Sequence, residues 1–418
     1  MHTAIVGGGL TGISAAYHLV RDYPDRQVVV LEANRIGQGA TCRSTGMASP
    51  GVGQDAQSLI SRVGAEKARI MYQESLDAVN YVGELAEAEN IDCNYLRCGM
   101  LMIARSNKGG ARLNRQAKAL ESLGLPVERL TRDGLHQRIR LADLPSGGDS
   151  PELPAALRLP IAGTLHPGRF LAGLTQAISE RGGKVYEKAR VTDIQPGKPV
   201  RLTMEGGGTI TADHVVLATA GFSPGLGYLR GRVLPVHLRV LVSEPLDEKA
   251  FEVLGWANRD CLIDSRRLFN YFRITPDNRI VFGGGLPRYS WGGQTGEHSG
   301  IAADLDRLHE LFKATFPAEA GLCIAGGWNG VIGYTLDTLP VIQHLPGKPG
   351  VLHVGGWCGH GISLGTRSGT WIAKMIGEGS LPADLPWFRH SAPILPIEPV
   401  RWLGFKIGTR AMAAMDSL

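Results

Sequence analysis

Three glycines and one carboxylate near the start of the chain have the spacing of a dinucleotide site. Gly7, Gly9 and Gly12 form G-x-G-x-x-G, and Glu32 lies 20 residues beyond the last of them. Gly7 permits a tight turn, Gly9 lets backbone approach a pyrophosphate, and Gly12 lets a helix pack closely on a strand. Glu32 can accept hydrogen bonds from ribose hydroxyls. Leu10 and Thr11 open the helix, where amide donors and the positive end of the dipole face a phosphate.

These residues need a strand–turn–helix–strand frame, and the neighbouring sequence supplies it. Residues 3–6 read as a strand, 14–20 as helix and 28–31 as a second strand that ends at Glu32. A Gly-rich loop follows at 37–47. Helices are expected at 64–90, 111–124, 170–181, 302–315 and 366–376, and a turn-rich connection at 145–160. Strands are expected at 184–187, 189–194, 200–204, 209–212 and 213–221, the last ending in Gly221. Residues 225–323 carry alternating runs such as 239–242, 268–274 and 280–282, which point to an antiparallel sheet fit to wall a pocket. Residues 351–354 return to buried-strand character before Gly355-Gly356.

Bulk composition narrows the functional class. Apolar residues make up 43% of the 418, as a globular protein requires. The net charge of +5 is scattered, with no basic run, which argues against a nucleic-acid groove. No apolar run approaches the ~20 residues of a membrane span. The first strand at residue 3 leaves no room for a leader, so a cytoplasmic protein is expected. Cys42, Cys93, Cys98, Cys261, Cys323 and Cys358 form no C-x-x-C pair and read as free thiols, with no metal site.

Four motifs together resemble the D-amino-acid oxidase-like superfamily of FAD-dependent amine and amino-acid oxidoreductases. They are the N-terminal fingerprint with Glu32, and Gly39-Ala40-Thr41-Cys42-Arg43-Ser44-Thr45-Gly46, similar to the family's loop beside the flavin. The others are the segment 328–340, of W-x-G-x-x-x-x-T-x-D-x-x-P type, and Gly356-Trp357-Cys358-Gly359-His360-Gly361. The γ-glutamylputrescine branch is the nearest, through Asp264, Tyr271-Phe272-Arg273 and the long C-terminus. The resemblance implies an α/β fold: a Rossmann-like FAD-binding domain of glutathione-reductase type with a second, antiparallel-sheet substrate domain (α+β). The expected FAD-binding segments are 1–90, 152–224 and 324–385. The expected substrate domain is 91–151 with 225–323, and 386–418 form a C-terminal extension.

The resemblance also assigns roles. Ala40, Thr41, Arg43, Ser44 and Thr45 would contact the diphosphate or flavin side, although Arg43 also reads as a solvated loop arginine. Val191 would give backbone contacts near adenine, and Gly221 would line the cofactor. Gly359, His360 and Gly361 would lie by the isoalloxazine ring, with the amides of Ile362, Ser363 and Leu364 at its N1–C2=O edge. There they would stabilise the negative charge of reduced flavin. His360 is a candidate proton acceptor or a flavin-packing residue. Tyr271, Arg273, Tyr334 and Trp357 are candidate pocket walls, while Tyr271 and Arg273 also read as ordinary strand residues.

The implied reaction is hydride transfer from the C–H beside an amine nitrogen to flavin N5, followed by hydrolysis of the imine. The flavin loop lacks the His that carries FAD covalently in some relatives, and Cys358 reads as a packed thiol, so non-covalent FAD is expected. No cation occurs in 46–50, where the sarcosine oxidase branch clamps a substrate carboxylate, and no Lys lies between 268 and 287. The electron acceptor is therefore open between oxygen and quinone. A flavin monooxygenase or NAD(P)H-linked enzyme would call for a second fingerprint or a C-x-x-C pair, and the chain has neither. A non-catalytic flavoprotein is the remaining alternative. Residues 400–412 read as a basic amphipathic helix, either touching a membrane or partner or packed on its own subunit. The oligomeric state stays open.

Overall fold

The computed structural model describes residues 1–142, 144, 149–150, 153–296, 300–380, 386–389 and 392–416. Its nucleotide-side core is a six-stranded sheet ordered Lys184–Tyr186, Val28–Leu31, Thr3–Val6, His214–Leu217, Val351–Gly355 and Val341–His344. The first five strands run parallel and Val341–His344 pairs antiparallel at the edge. Thr3–Val6 and Val28–Leu31 are buried along their whole length. This is why they read as continuous β-branched runs rather than alternating ones. Helices Leu10–Asp22, Ala65–Ala88, Pro167–Glu180 and Ser363–Gly377 cover one face in the largest apolar cluster. A three-stranded antiparallel sheet, 191–212, packs on the other face through Val191, Ile194 and Leu202.

The second layer is an eight-stranded sheet, built chiefly from Leu234–Ser243, Ile280–Tyr289, Tyr271–Ile274, Cys261–Asp264 and Met100–Ile103. Phe272 and Phe282 stack on one face against Phe312 and Phe316 from the region of helix Ile301–Lys313. Alternation then sends Tyr271, Arg273 and Val240 to the opposite face, toward the nucleotide layer.

Ile324–Tyr334 pairs along its length with Leu234–Ser243, and Ala156–Leu159 pairs with Met100–Ile103, so both belong to the larger sheet. The turn-rich connection expected at 145–160 lies partly outside the described residues, and its described part includes Ala156–Leu159. The helix expected at 64–90 is Ala65–Ala88, and a separate short helix, Ala56–Val63, precedes it across Gly64 at φ +85°. The expected strand 213–221 stops at Leu217 and passes into the 3-10 turn Ala220–Leu226.

Candidate active site

The carboxyl ends of the parallel strands converge on the fingerprint. Gly7 takes φ +111°, and a Cβ there would stand 2.7 Å from the Ala218 carbonyl oxygen. A Cβ on Gly12 would stand 2.0 Å from the Gly7 carbonyl oxygen, so only glycine lets helix Leu10–Asp22 sit this close to its strand. The Glu32 carboxylate accepts from the Gly8 amide at 2.8 Å and the Asn34 amide at 2.9 Å. The Ala189 amide donates to the Glu32 carbonyl at 2.8 Å, which brings the chain leading into Val191 beside Glu32.

Three helix N-termini meet around Leu10 and Thr11. Thr41 Oγ1, on the short helix Ala40–Arg43, accepts from the Leu10 amide at 3.0 Å. Gly365, in helix Ser363–Gly377, lies where a Cβ would be 3.0 Å from Thr11 Oγ1. None of the three helices is capped by its own N-cap side chain, and beyond the Leu10 amide held by Thr41 their first-turn donors have no side-chain cap. A Cβ on Gly39 or Gly359 would meet nothing within 4 Å. Uncapped donors beside space free of side chains fit an anionic dinucleotide such as FAD. One expected flavin-edge donor is already engaged: the Leu364 amide donates to the His360 carbonyl at 3.0 Å. That leaves Ile362 and Ser363 as the better-placed amides.

The loop 37–47 ties the two layers together. Arg43 donates to the Gln38 carbonyl at 2.9 Å and to the Asn329 carbonyl at 2.7 Å. Trp328 Nε1 in turn donates to the Arg43 carbonyl at 2.8 Å. Gly330 faces the Arg43 stem, which a Cβ would approach to 3.2 Å. Ser44 Oγ donates to the Thr41 carbonyl at 2.8 Å. From the larger sheet, Arg273 donates through Nε to the Thr45 carbonyl and through Nη2 to the Leu165 carbonyl at 2.9 Å. Arg273 is buried, which pulls its guanidinium down to about 10. It holds the loop 37–47 against the larger sheet and is a positioning residue. Gly221 packs under the same strand as Trp328: a Cβ there would meet the Ile332 carbonyl oxygen at 2.7 Å.

Tyr271 lies on the same sheet face as Arg273, its ring over Gly283, where a Cβ would meet ring carbons at 2.3 Å. Burial pushes its phenol up to about 12, so it stays protonated. Tyr334 is also pushed to about 12 by burial, but it packs with Leu234, Val236 and Trp402 at the seat of the C-terminal extension. Trp357 is not a wall of the substrate sheet. Its Nε1 donates to Thr11 Oγ1 at 2.9 Å, and the ring joins the core of the nucleotide layer.

His360 sits against Gly51, where a Cβ would be 3.2 Å from the imidazole, with Ser49 Oγ 3.4 Å from Nδ1. Burial lowers its imidazole to about 4, so it is neutral and a weak proton acceptor above pH 5. Ser49 and Gly51 were not among the residues singled out from sequence; the glycine pair Gly51 and Gly53 was the available signal. Cys358 packs its thiol toward the Gly356 carbonyl at 3.3 Å and Thr335 Oγ1 at 3.4 Å, and burial pushes it up to about 11. A thiol of that kind is a poor nucleophile.

Two other histidines make stability depend on pH. His18 and His353 are fully buried, and burial lowers both to about 4. Between pH 6.5 and 4 the unfolded chain binds protons that these sites refuse. Their stabilising contribution is thus whole above pH 6.5 and lost as pH falls, on the order of 3 kcal/mol each. The melting temperature is expected to hold between pH 7 and 8 and to fall steadily below pH 6.5. A flat profile from pH 7 to pH 5 in thermal melts would contradict this.

The chain is similar to known proteins over most of its length. Residues 2–375 match the family model described as DAO, FAD dependent oxidoreductase. The chain is 30% identical over 383 residues to gamma-glutamylputrescine oxidoreductase of Escherichia coli (strain K12), covering 89% of this chain and 82% of that protein. It is 25% identical to glycine oxidase of Geobacillus kaustophilus (strain HTA426), covering 92% and 95%. The crystal structure of glycine oxidase from Geobacillus kaustophilus superposes with a TM-score of 0.75 at 21% identity, over 93% of this chain and 99% of that one. With the fingerprint, the flavin-side loop and the G-H-G turn assembled on one face, the chain belongs to the DAO family of FAD-dependent oxidoreductases.

Proposed function

We propose that the protein oxidises the C–N bond of an amine that carries no carboxylate on the reacting carbon, giving an imine that water hydrolyses. The observation that carries this reading is how Arg43 and Arg273 are used. Both lie between the sheet and the flavin-side loop, and both direct guanidinium donors to backbone carbonyls. A substrate α-carboxylate would have to compete with those bonds. The residues 46–50 add no cation. FAD, when bound, supplies the hydride acceptor at N5, held non-covalently because Cys358 is packed and protonated.

The chain's own residues prepare the amine. Met47, Met102 and Ile263 cluster on the nucleotide-facing side of the sheet and give an apolar lining beside Tyr271. An amine desolvated there loses its proton more readily, which frees the lone pair needed to expel hydride. His360, neutral at physiological pH, packs the site without adding positive charge that would oppose the developing iminium. The 30% identity to gamma-glutamylputrescine oxidoreductase supports the same class of donor.

The test is anaerobic mixing of the yellow holoenzyme with polyamines and N-acylated diamines, N-methyl amino acids, and D-amino acids. Amines without an α-carboxylate are expected to bleach the flavin at least tenfold faster than glycine, sarcosine or D-alanine. Faster bleaching by the α-amino acids would overturn the reading. So would bleaching by NADPH and by no amine.

A further inference from the structure

The C-terminal helix Val400–Asp416 is held by one face and leaves the opposite face uncovered. Its seat is aromatic: Phe405 packs on Tyr289 with ring centroids 5.9 Å apart, and Trp402 packs on Trp291 at 5.9 Å. Thr409, the one buried residue of the helix among those described, lies on this side. At 100° per residue the other side presents Val400, Leu403, Ile407, Ala411, Ala414 and Met415. All six are exposed, Ile407 by 58%. Ile394 and Ile397 lead into this stripe and are exposed by 68% and 77%. A run of exposed apolar side chains this long marks an interaction surface.

The charges say what kind of surface covers it. Both acids of the segment turn toward the protein. Glu398 accepts from Tyr289 Oη at 2.6 Å and from the Trp402 amide at 3.1 Å. Asp416 accepts from the Arg267 and Leu268 amides at 2.9 Å each. Lys406 and Arg410 remain along one margin of the stripe, the Lys406 ammonium 4.4 Å over the Trp402 ring. Arg401 stands on the other margin, its Nε on the Pro396 carbonyl. A second copy of this chain meeting the stripe about a twofold axis would bring the same cations together, with both described acids of the segment already turned away from the contact. An anionic bilayer satisfies both parts: acyl chains take the stripe and lipid phosphates take the basic margins.

We propose that this helix lies in the plane of an anionic lipid surface, with Val400, Leu403, Ile407 and Met415 in the acyl boundary and Lys406 and Arg410 at the headgroups. No helix among the described residues is long and apolar enough to cross a membrane, so the contact is peripheral.

The holoenzyme is expected to co-sediment with phosphatidylglycerol–phosphatidylcholine vesicles at least fivefold more than with phosphatidylcholine alone, and 0.5 M salt is expected to remove most of that difference. The pair Leu403→Glu and Ile407→Glu is expected to cut binding at least tenfold while leaving the flavin spectrum and melting curve unchanged. Lys406→Glu with Arg410→Glu is expected to abolish the preference for anionic lipid. Absence of vesicle binding overturns the proposal. Equal binding by the glutamate pair overturns it too. A soluble dimer that the same pair converts to monomer would assign the face to a second copy instead.

Discussion

Gly12→Ala is expected to yield protein that holds no FAD and unfolds far below the parent. The added Cβ would stand 2.0 Å from the Gly7 carbonyl oxygen and 3.1 Å from Ile5 Cγ2. The first neighbour is backbone, so no side-chain rotation relieves the clash, and the helix must lift from its strand. Overpacking of this kind costs about 3 kcal/mol or more. The lift also removes the N-terminal amides from the phosphate site. Gly9→Ala separates the two effects. A Cβ there meets only Thr41 Oγ1, at 3.4 Å. Its melt should match the parent apoprotein while FAD affinity falls, because the methyl occupies space in front of the amides. The ratio of flavin absorbance to protein absorbance, read beside the thermal melt, checks both. Full flavin content in Gly12→Ala would refute the packing argument.

The second large effect is expected at Asp304, far from the flavin side. Asp304 bridges two arginines: Arg239 Nη2, by a short contact, and Arg288 Nη2 at 2.6 Å. Arg288 is partly exposed and can return to water, whereas Arg239 is 1% exposed and cannot. Arg239 also donates to the His237 and Leu286 carbonyls, which fixes it between two strands. Removing one partner of a buried ion pair leaves a desolvated charge and costs about 3–5 kcal/mol. Asp304→Ala should lose that much in urea unfolding. The double replacement Arg239→Met with Asp304→Leu should recover most of it, since no buried charge then remains. A loss below about 1 kcal/mol in the single variant would show that Arg239 is satisfied without Asp304.

The parts of this fold that could be read from sequence were those where a single residue type is the only physical solution. Gly12 must be glycine because a carbonyl lies beneath it, and that need is visible as spacing. The short helix Ala56–Val63 was not legible, because it is only eight residues long and buries just Ala56 and Leu59 before Gly64, at φ +85°, ends it. The start of helix Asn107–Ser122 was missed because Gly109 and Gly110 weaken helix propensity; the Ser106 cap, accepting from the Gly109 amide at 3.0 Å, offsets them. At the site, the motif residues Arg43, Thr45 and Trp328 were legible as types. Their partners were not: Arg43 bonds a carbonyl 286 residues away and Arg273 one 228 residues away. Backbone carbonyls carry no side-chain signature, so sequence alone left Arg273 between a pocket wall and an ordinary strand residue.

The order of strands in the parallel sheet bears on how the protein is made. Thr3–Val6 lies between Val28–Leu31 and His214–Leu217, and the latter pairs in turn with Val351–Gly355. Thr3–Val6 gains its second neighbour only after residue 217 has left the ribosome, and the sheet is complete only after residue 355. At about 5–20 residues per second, the stretch from Val6 to Gly355 takes roughly 20–70 s to synthesise. Through it the nascent chain carries apolar strands with one open edge, the condition in which chaperones bind and strands mispair. Recombinant yield should therefore respond to slower translation and to chaperone supply more than to the stability of the finished fold.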